Sequence, residues 1–408
     1  MKTRPFARIR RFHFNLPQRI AAGLLLLFLS QGLWLTSRQT LTDSDYQYAR
    51  CGREMWERPS AVSGYFTSCG NIHDGVLAYR LAGLPLTLNL LAERGLDTFR
   101  KPEDKVVQPA APGLPVTVST WELRHQMTHV LFLLRLPFLA VGVILGGGLW
   151  WVSRRLYGNF GGYTALALYC FSPAVLRACV TPNAEILSAL AVYGGVYTCI
   201  GVAHSMQGPK RKWRPRIVLL TVIFAVAAAS HLVALPVVAL TGMALMLWIA
   251  EGRRDQILPV ILIAAAGSMA IVLACYAFSP NSMSVLFRAQ YVFLSFSAEP
   301  VQRFFATLSN AGLTVAAAAA LVLYLGVKRS RYFGNTAPLL CALILLPLVM
   351  TGSLGTPWLW AIPFLLTFVG GVFADAYETR PARWALAAAG SIVLLQVVFC
   401  LLSLPGLL

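Results

Sequence analysis

The chain is 408 residues long, 57% hydrophobic and only 12% charged, a balance too apolar for a soluble domain of this length. Its net charge of +18 does not imply a nucleic-acid partner, because no basic run is interleaved with aromatics in a soluble domain. Apolar stretches of about twenty residues recur instead, each long enough to cross a hydrocarbon layer of about 30 Å as a helix. An outer-membrane barrel would show short alternating segments, so no sheet is expected.

Residues 1–19 form a basic tail, and the apolar run 20–36 behind it is the first predicted span. A cleaved signal peptide is the alternative, but the run is long and no small-x-small site follows it. Further spans are predicted over 129–152, 160–177, 184–205, 216–229, 231–250, 257–278, 311–327, 336–352, 357–374 and 384–405, giving an all-α polytopic membrane protein of eleven helices. Twenty of the 34 Lys and Arg fall in six short segments, namely the tail, 154–155, 210–216, 253–254, 328–331, and Arg380 with Arg383. These occupy alternate loops, which places them and the N-terminus in the cytoplasm. The same rule demands two crossings between 216 and 250, because the basic segments on either side must share a face.

The organisation expected is therefore a cytoplasmic tail (1–19), a transmembrane module (20–278) with an extracytoplasmic loop at 37–128, and a C-terminal part (279–408) holding a second outer loop and the remaining helices. Ten of the sixteen Asp and Glu lie in the first outer loop, so polar chemistry is expected there. Within it, 45–56 reads as a short amphipathic helix with Tyr48, Cys51, Met55 and Trp56 set near the bilayer surface. A second helix is expected over 73–91, and the four prolines of 101–118 mark an irregular connector. The second outer loop, with Arg288 and Arg303, has the pattern of another short interface helix.

Six of the eight cysteines fall in predicted spans or, for Cys179, just beyond the end of one, where a thiol is a small apolar group. Cys51 and Cys69 lie in the outer loop, where an oxidising compartment lets them pair, and a disulfide between them is predicted. The sequence contains no phosphate-binding GxxxxGK[ST] loop, HExxH motif, CxxC or GxSxG elbow, which argues against an ATP-driven pump or a zinc protease. Only His125 and His129 have helical metal-ligand spacing, and at a membrane boundary such a pair is more often interfacial. No metal ligand is assigned.

Four segments recur in a telling order: TDSDYQYARCGREMWE (42–57), NIHDGVLAYRLAGLPL (71–86), RLPFLAVGVILGGGLWWVSRRLYG (135–158) and ALALYCFSPAVLRACVTPNAE (165–185). Over about its first 250 residues the chain resembles the GT-C superfamily of polyprenyl-phosphate-dependent glycosyltransferases, in the branch that includes protein O-mannosyltransferases and lipid A aminoarabinose transferases. There is a weaker echo at WLWAIPFLLTFVGG (358–371). The family's Asp-Glu pair stands here as Ser44-Asp45 with Asp43 before it, and its Pro-Pro after the loop histidine stands as Asp74-Gly75. The large soluble C-terminal domain of some members has no counterpart.

The resemblance implies a transferase that moves a sugar from a polyprenyl-phosphate donor to a lipid, glycan or protein acceptor on the outer face of a bacterial inner membrane. Such an inverting transfer needs a base for the acceptor's proton and cations for the departing phosphate. Asp45 is the first choice for the base and Asp43 the substitute, although an Asp beginning a helix is also an ordinary N-cap. Candidates for the donor phosphate are Arg53, Arg124, His231, Arg288 and Arg303. An ionisable group at the depth of His231 points to function, or else to a neutral imidazole bonded at a helix junction. His73 and Asp74 are candidates for holding the sugar or a divalent cation bridging the phosphate. Glu185 either lines the same cavity or caps its own helix. A non-catalytic GT-C subunit serving as a lipid-binding or scaffolding protein is the rival reading, supported by the altered acidic pair.

Overall fold

A computed structural model describes residues 15–57, 75–99, 120–208, 210–250, 252–276, 278, 293–326, 332–351, 357–379 and 382–407. The fold is an all-α membrane bundle. Helix α1 (Leu16–Arg38) starts on a capping box in which the Asn15 and Gln18 side chains each bond the other's backbone, with Pro17 in the first turn. It runs antiparallel to the first arm of α4 (Thr120–Cys170), where Gly32 meets Leu139 and Gly142 meets Phe28. The two arms of α4 are joined at Gly158, whose φ of 77° lies in the left-handed region that favours glycine. The spans predicted at 129–152 and 160–177 are thus two helical arms that meet at Gly158, and the second is followed by the short α5 (Pro173–Val180).

Four helices follow in alternating directions: α6 (Glu185–Met206), α7 (Lys210–Ser230), α8 (Ala234–Ile249) and α9 (Ile257–Cys275). The predicted division of 216–250 into two helices matches the break between α7 and α8 at His231. Beyond them lie α10 (Glu299–Ala306), α11 (Ala311–Gly326), α12 (Tyr332–Leu345), α13 (Trp358–Thr379) and α14 (Ala382–Ser403). Eight helical segments among the described residues have the length and apolarity to cross a membrane, and three shorter apolar ones accompany them. Helix α13 is the axle. Every residue from Leu359 to Ala376 is buried, the mark of a helix enclosed by others on all sides. Its closest approach is to the second arm of α4, where Gly370 and Gly161 meet and an added Cβ on either would strike the other's carbonyl.

Two expectations need correction. A short antiparallel ribbon, β1 (Phe293–Phe296) with β2 (Leu348–Thr351), pairs Phe293 with Thr351 and Phe296 with Leu348. The helix predicted over 336–352 therefore stops at Leu345, and the chain leaves it extended, in a β-branched and bulky stretch that suits a strand. The second correction concerns the four loop residues set near the bilayer surface. Helix α2 (Asp43–Glu57) and helix α3 (Val76–Phe99) pack on each other so closely that Cβ atoms added at Gly52 or Gly83 would overlap the partner backbone. Tyr48, Cys51 and Met55 are buried in that contact, with the Tyr48 ring stacked 4.3 Å from Tyr79. Of the four residues assigned to the bilayer surface, Trp56 is exposed.

The bundle has two chemically distinct ends. At one end, called here the basic end, lie Arg154, Arg155, Arg214, Arg216, Arg253 and Arg254; Arg154 and Arg155 stack over Trp150 and Trp151. Helices α2 and α3 sit at the opposite, loop end, where Gln39 donates to the Leu407 carbonyl and joins the end of α1 to the last turn of the described chain.

Candidate functional site

The first cluster at the loop end is built on the start of α2. Thr42 and Asp45 form a reciprocal cap: the Thr42 hydroxyl accepts from the Asp45 N–H at 3.2 Å, and Asp45 Oδ2 accepts from the Thr42 N–H at 3.0 Å and its hydroxyl at 2.7 Å. The helix begins at Asp43, so Asp45 is its third residue and not its N-cap. Across the interface, Arg135 of α4 donates Nε to Asp45 Oδ1 at 3.2 Å and Nη2 to Oδ2 at 2.6 Å, and also reaches the Thr40 carbonyl at 3.0 Å. Asp45 is fully buried and the Arg135 side chain 1% exposed. Asp43 and Ser44, by contrast, stand exposed on the first turn.

The second cluster lies where α6, α7 and α13 come together. Trp360 Nε1 donates to Glu185 Oε2 at 2.8 Å, and His231 Nε2 lies 3.4 Å from Glu185 Oε1, within ion-pair range for a protonated imidazole. All three side chains are buried. Glu185 does not cap its helix: Asn183 does, accepting from the Ile186 N–H at 3.2 Å. The cluster abuts the loop helices through Gly75, whose N–H donates to the Ser230 carbonyl at 2.7 Å. A Cβ at Gly75 would overlap the Ala229 and Ser230 carbonyls, so only glycine lets α3 start here.

A third contact secures the layer. Arg80 of α3 donates to the Cys275 carbonyl at the end of α9 at 2.8 Å and to the Met55 carbonyl of α2 at 3.4 Å, while its guanidinium lies over Trp56. One arginine thus neutralises the C-terminal ends of two helices.

The other sequence candidates are dispersed. Arg53 is exposed on α2. Arg303 is exposed and paired with Glu299 of its own helix at 2.5 Å. Cys51 is disulfide-bonded. Cys69, His73, Asp74, Arg288 and the side chain of Arg124 lie outside the described residues. Sequence reasoning missed Arg135 and Trp360 as members of these clusters. Both sit in segments already quoted, Arg135 at the head of RLPFLAV and Trp360 in WLWAIP, but each was read as part of a span and not as a polar partner.

No family model matches the sequence, and no curated protein matches it. The three-dimensional arrangement does find counterparts. Two crystal structures of ArnT, the aminoarabinose transferase of Cupriavidus metallidurans, superimpose on 91% of the chain. The apo state gives a TM-score of 0.60 at 14% identity, and the form bound to undecaprenyl phosphate gives 0.58 at 12%. The Archaeoglobus fulgidus oligosaccharyltransferase, crystallised with Zn and sulfate, superimposes on 93% of the chain with a TM-score of 0.50 at 13% identity. This is a GT-C fold. The chain spans 61% and 62% of the two ArnT structures and 52% of the oligosaccharyltransferase. Within this GT-C fold the segment between α1 and α4 supplies the α2–α3 layer, and both polar clusters lie beside it.

Proposed function

We propose that the protein is a membrane glycosyltransferase that moves a sugar from a polyprenyl-phosphate donor to a lipid, glycan or protein acceptor on the outer face of a bacterial inner membrane. Its N-terminus is cytoplasmic and eleven helices cross. The observation that carries this reading is the start of α2, where Asp43 projects from a turn that the buried Asp45–Arg135 pair holds in place. A carboxylate closed in by Arg135 and Thr42 is poorly placed to take a proton from an acceptor, whereas an exposed carboxylate two residues away on a rigid turn is well placed. Asp43 is accordingly the base in this proposal, and Asp45 holds the turn.

The step it serves is a single displacement. The acceptor's oxygen or nitrogen forms a bond to the sugar's anomeric carbon as the bond from that carbon to the phosphate oxygen breaks. The acceptor's proton passes to Asp43, and the polyprenyl phosphate leaves with the bonding electrons. Arg53, Arg124, Arg288, Arg303 and His231 are the cations proposed to meet that phosphate, with His73, Asp74 and Glu185 facing sugar or acceptor. Support for the donor class comes from the fold shared with an ArnT structure whose bound ligand is undecaprenyl phosphate.

A non-catalytic lipid-binding or scaffolding subunit is the second reading, and one observation favours it: Asp45, the acidic residue standing where the family's pair would be, is fully engaged in an ion pair. Purified protein incubated with a panel of polyprenyl-phosphate sugars separates the two. The transferase reading expects sugar transfer that Asp43→Asn abolishes while donor binding persists. Donor binding without transfer by the wild-type protein supports the scaffold instead.

A further inference from the structure

The basic end carries a feature that sugar transfer at the loop end does not use. A half-open cleft of about 260 Å³ lies between the turn after α6 and the turn after α8, lined by Ala203, Met206, Gln207, Ala250, Gly252 and Arg253. Its floor is apolar (Ala203, Met206, Ala250), and its rim offers the Gln207 amide and the Arg253 guanidinium. Arg253 spans the cleft to the Gly208 carbonyl at 3.5 Å, a long bond that leaves most of its donors for another partner.

We propose that this cleft binds the phosphodiester headgroup of an anionic bilayer phospholipid. Three observations converge on that occupant. First, arginines already line this end of α6: Arg216 donates to the Gly201 carbonyl in its last two turns and Arg253 to the Gly208 carbonyl just beyond it, so their positive charge offsets the negative end of the helix. Second, segments 210–216 and 251–255 bring seven Lys and Arg against Glu251 and Asp255, a surplus that attracts anionic lipid. Third, the flanks are suited to acyl chains: Leu247 and Trp248 on the last turn of α8 and Leu258 and Leu262 on the first turns of α9 are all exposed. A headgroup seated in the cleft would have its chains beside those residues, with the Trp248 indole at headgroup depth.

The test uses full-length protein in nanodiscs of phosphatidylcholine alone or with 20% phosphatidylglycerol, read by native mass spectrometry of retained lipid and by thermal unfolding. The expected result is retained phosphatidylglycerol and a higher melting temperature in the mixed discs, with phosphatidylglycerol retention reduced about tenfold by Arg253→Gln and unchanged by Arg254→Gln, an exposed neighbour with the same charge. Gln207→Trp, a change at an exposed rim position, is expected to block retention without altering melting in phosphatidylcholine, and it carries the test should Arg253→Gln fail to fold. Equal losses from Arg253→Gln and Arg254→Gln would mean diffuse attraction and overturn the site. Equal protection by phosphatidylcholine, or by soluble glycerophosphoglycerol, would also overturn it.

Discussion

Arg135 and Asp45 face each other as a two-point ion pair, Nε to Oδ1 at 3.2 Å and Nη2 to Oδ2 at 2.6 Å, with both side chains out of solvent. The pair ties α4 to the first turn of the loop layer. Removing one partner leaves the other as an uncompensated buried charge, at a cost of about 3–5 kcal/mol. Asp45→Leu and Arg135→Leu are each expected to lower the thermal unfolding temperature in detergent sharply. The double substitution is expected to cost far less than the sum, because it removes both charges together. Additive losses across the cycle would show that the two groups do not depend on each other.

Asp43 tests the complementary point. Its side chain is exposed, and surface substitutions away from packed features usually change stability by less than about 0.5 kcal/mol. Asp43→Asn should therefore melt like the wild type yet lose transfer, while Asp45→Asn should lose both stability and transfer. Full transfer by the Asp43→Asn protein would remove it as the base.

These two carboxylates also mark how far the sequence could be read. Hydropathy and charge placement give the positions of the helices well, because a buried or lipid-facing helix must be apolar over its whole length. The break at His231 followed from charge parity alone. The ribbon of Phe293–Phe296 with Leu348–Thr351 was not legible, since short apolar runs suit a helix end and a strand equally. Nor was the different environment of Asp43 and Asp45. That difference depends on Arg135, 90 residues away, and no local pattern encodes which of two nearby carboxylates a distant arginine will face. Trp360 escaped notice for a related reason: in an apolar span an indole reads as bulk, and its N–H acquires meaning only when Glu185 is brought within 2.8 Å.

The α2–α3 layer depends on two glycines. Gly52 and Gly83 lie backbone to backbone, and a Cβ at either would overlap main-chain atoms that cannot rotate away. Gly52→Ala or Gly83→Ala is expected to force the helices apart and cost about 1–3 kcal/mol. Limited proteolysis should then cut the first loop faster in either variant than in the wild type. An unchanged cleavage rate would show that the crossing is looser than the backbone contact indicates.

Cysteine labelling addresses the loop's covalent tie. Cys51 is disulfide-bonded and six of the eight cysteines are free thiols. If Cys69 is the partner, denatured and unreduced protein takes up six alkyl groups by mass, and reduced protein takes up eight. Seven groups without reduction would indicate a bond between the Cys51 residues of two chains, leaving Cys69 free.

Trp360 and Glu185 give the last test. The indole N–H is the donor for Glu185 Oε2, and both groups are buried beside His231. Trp360→Phe keeps most of the ring volume but leaves a buried carboxylate oxygen without that donor, at a cost of about 1–3 kcal/mol. Pairing it with Glu185→Gln removes the stranded charge, so the double variant should lie closer to wild-type stability than the sum of the single losses. The cycle can be read by thermal unfolding alone, with no need for a known substrate. A coupling near zero would mean that Trp360 contributes packing only, and that Glu185 is held at the junction of α6, α7 and α13 by His231.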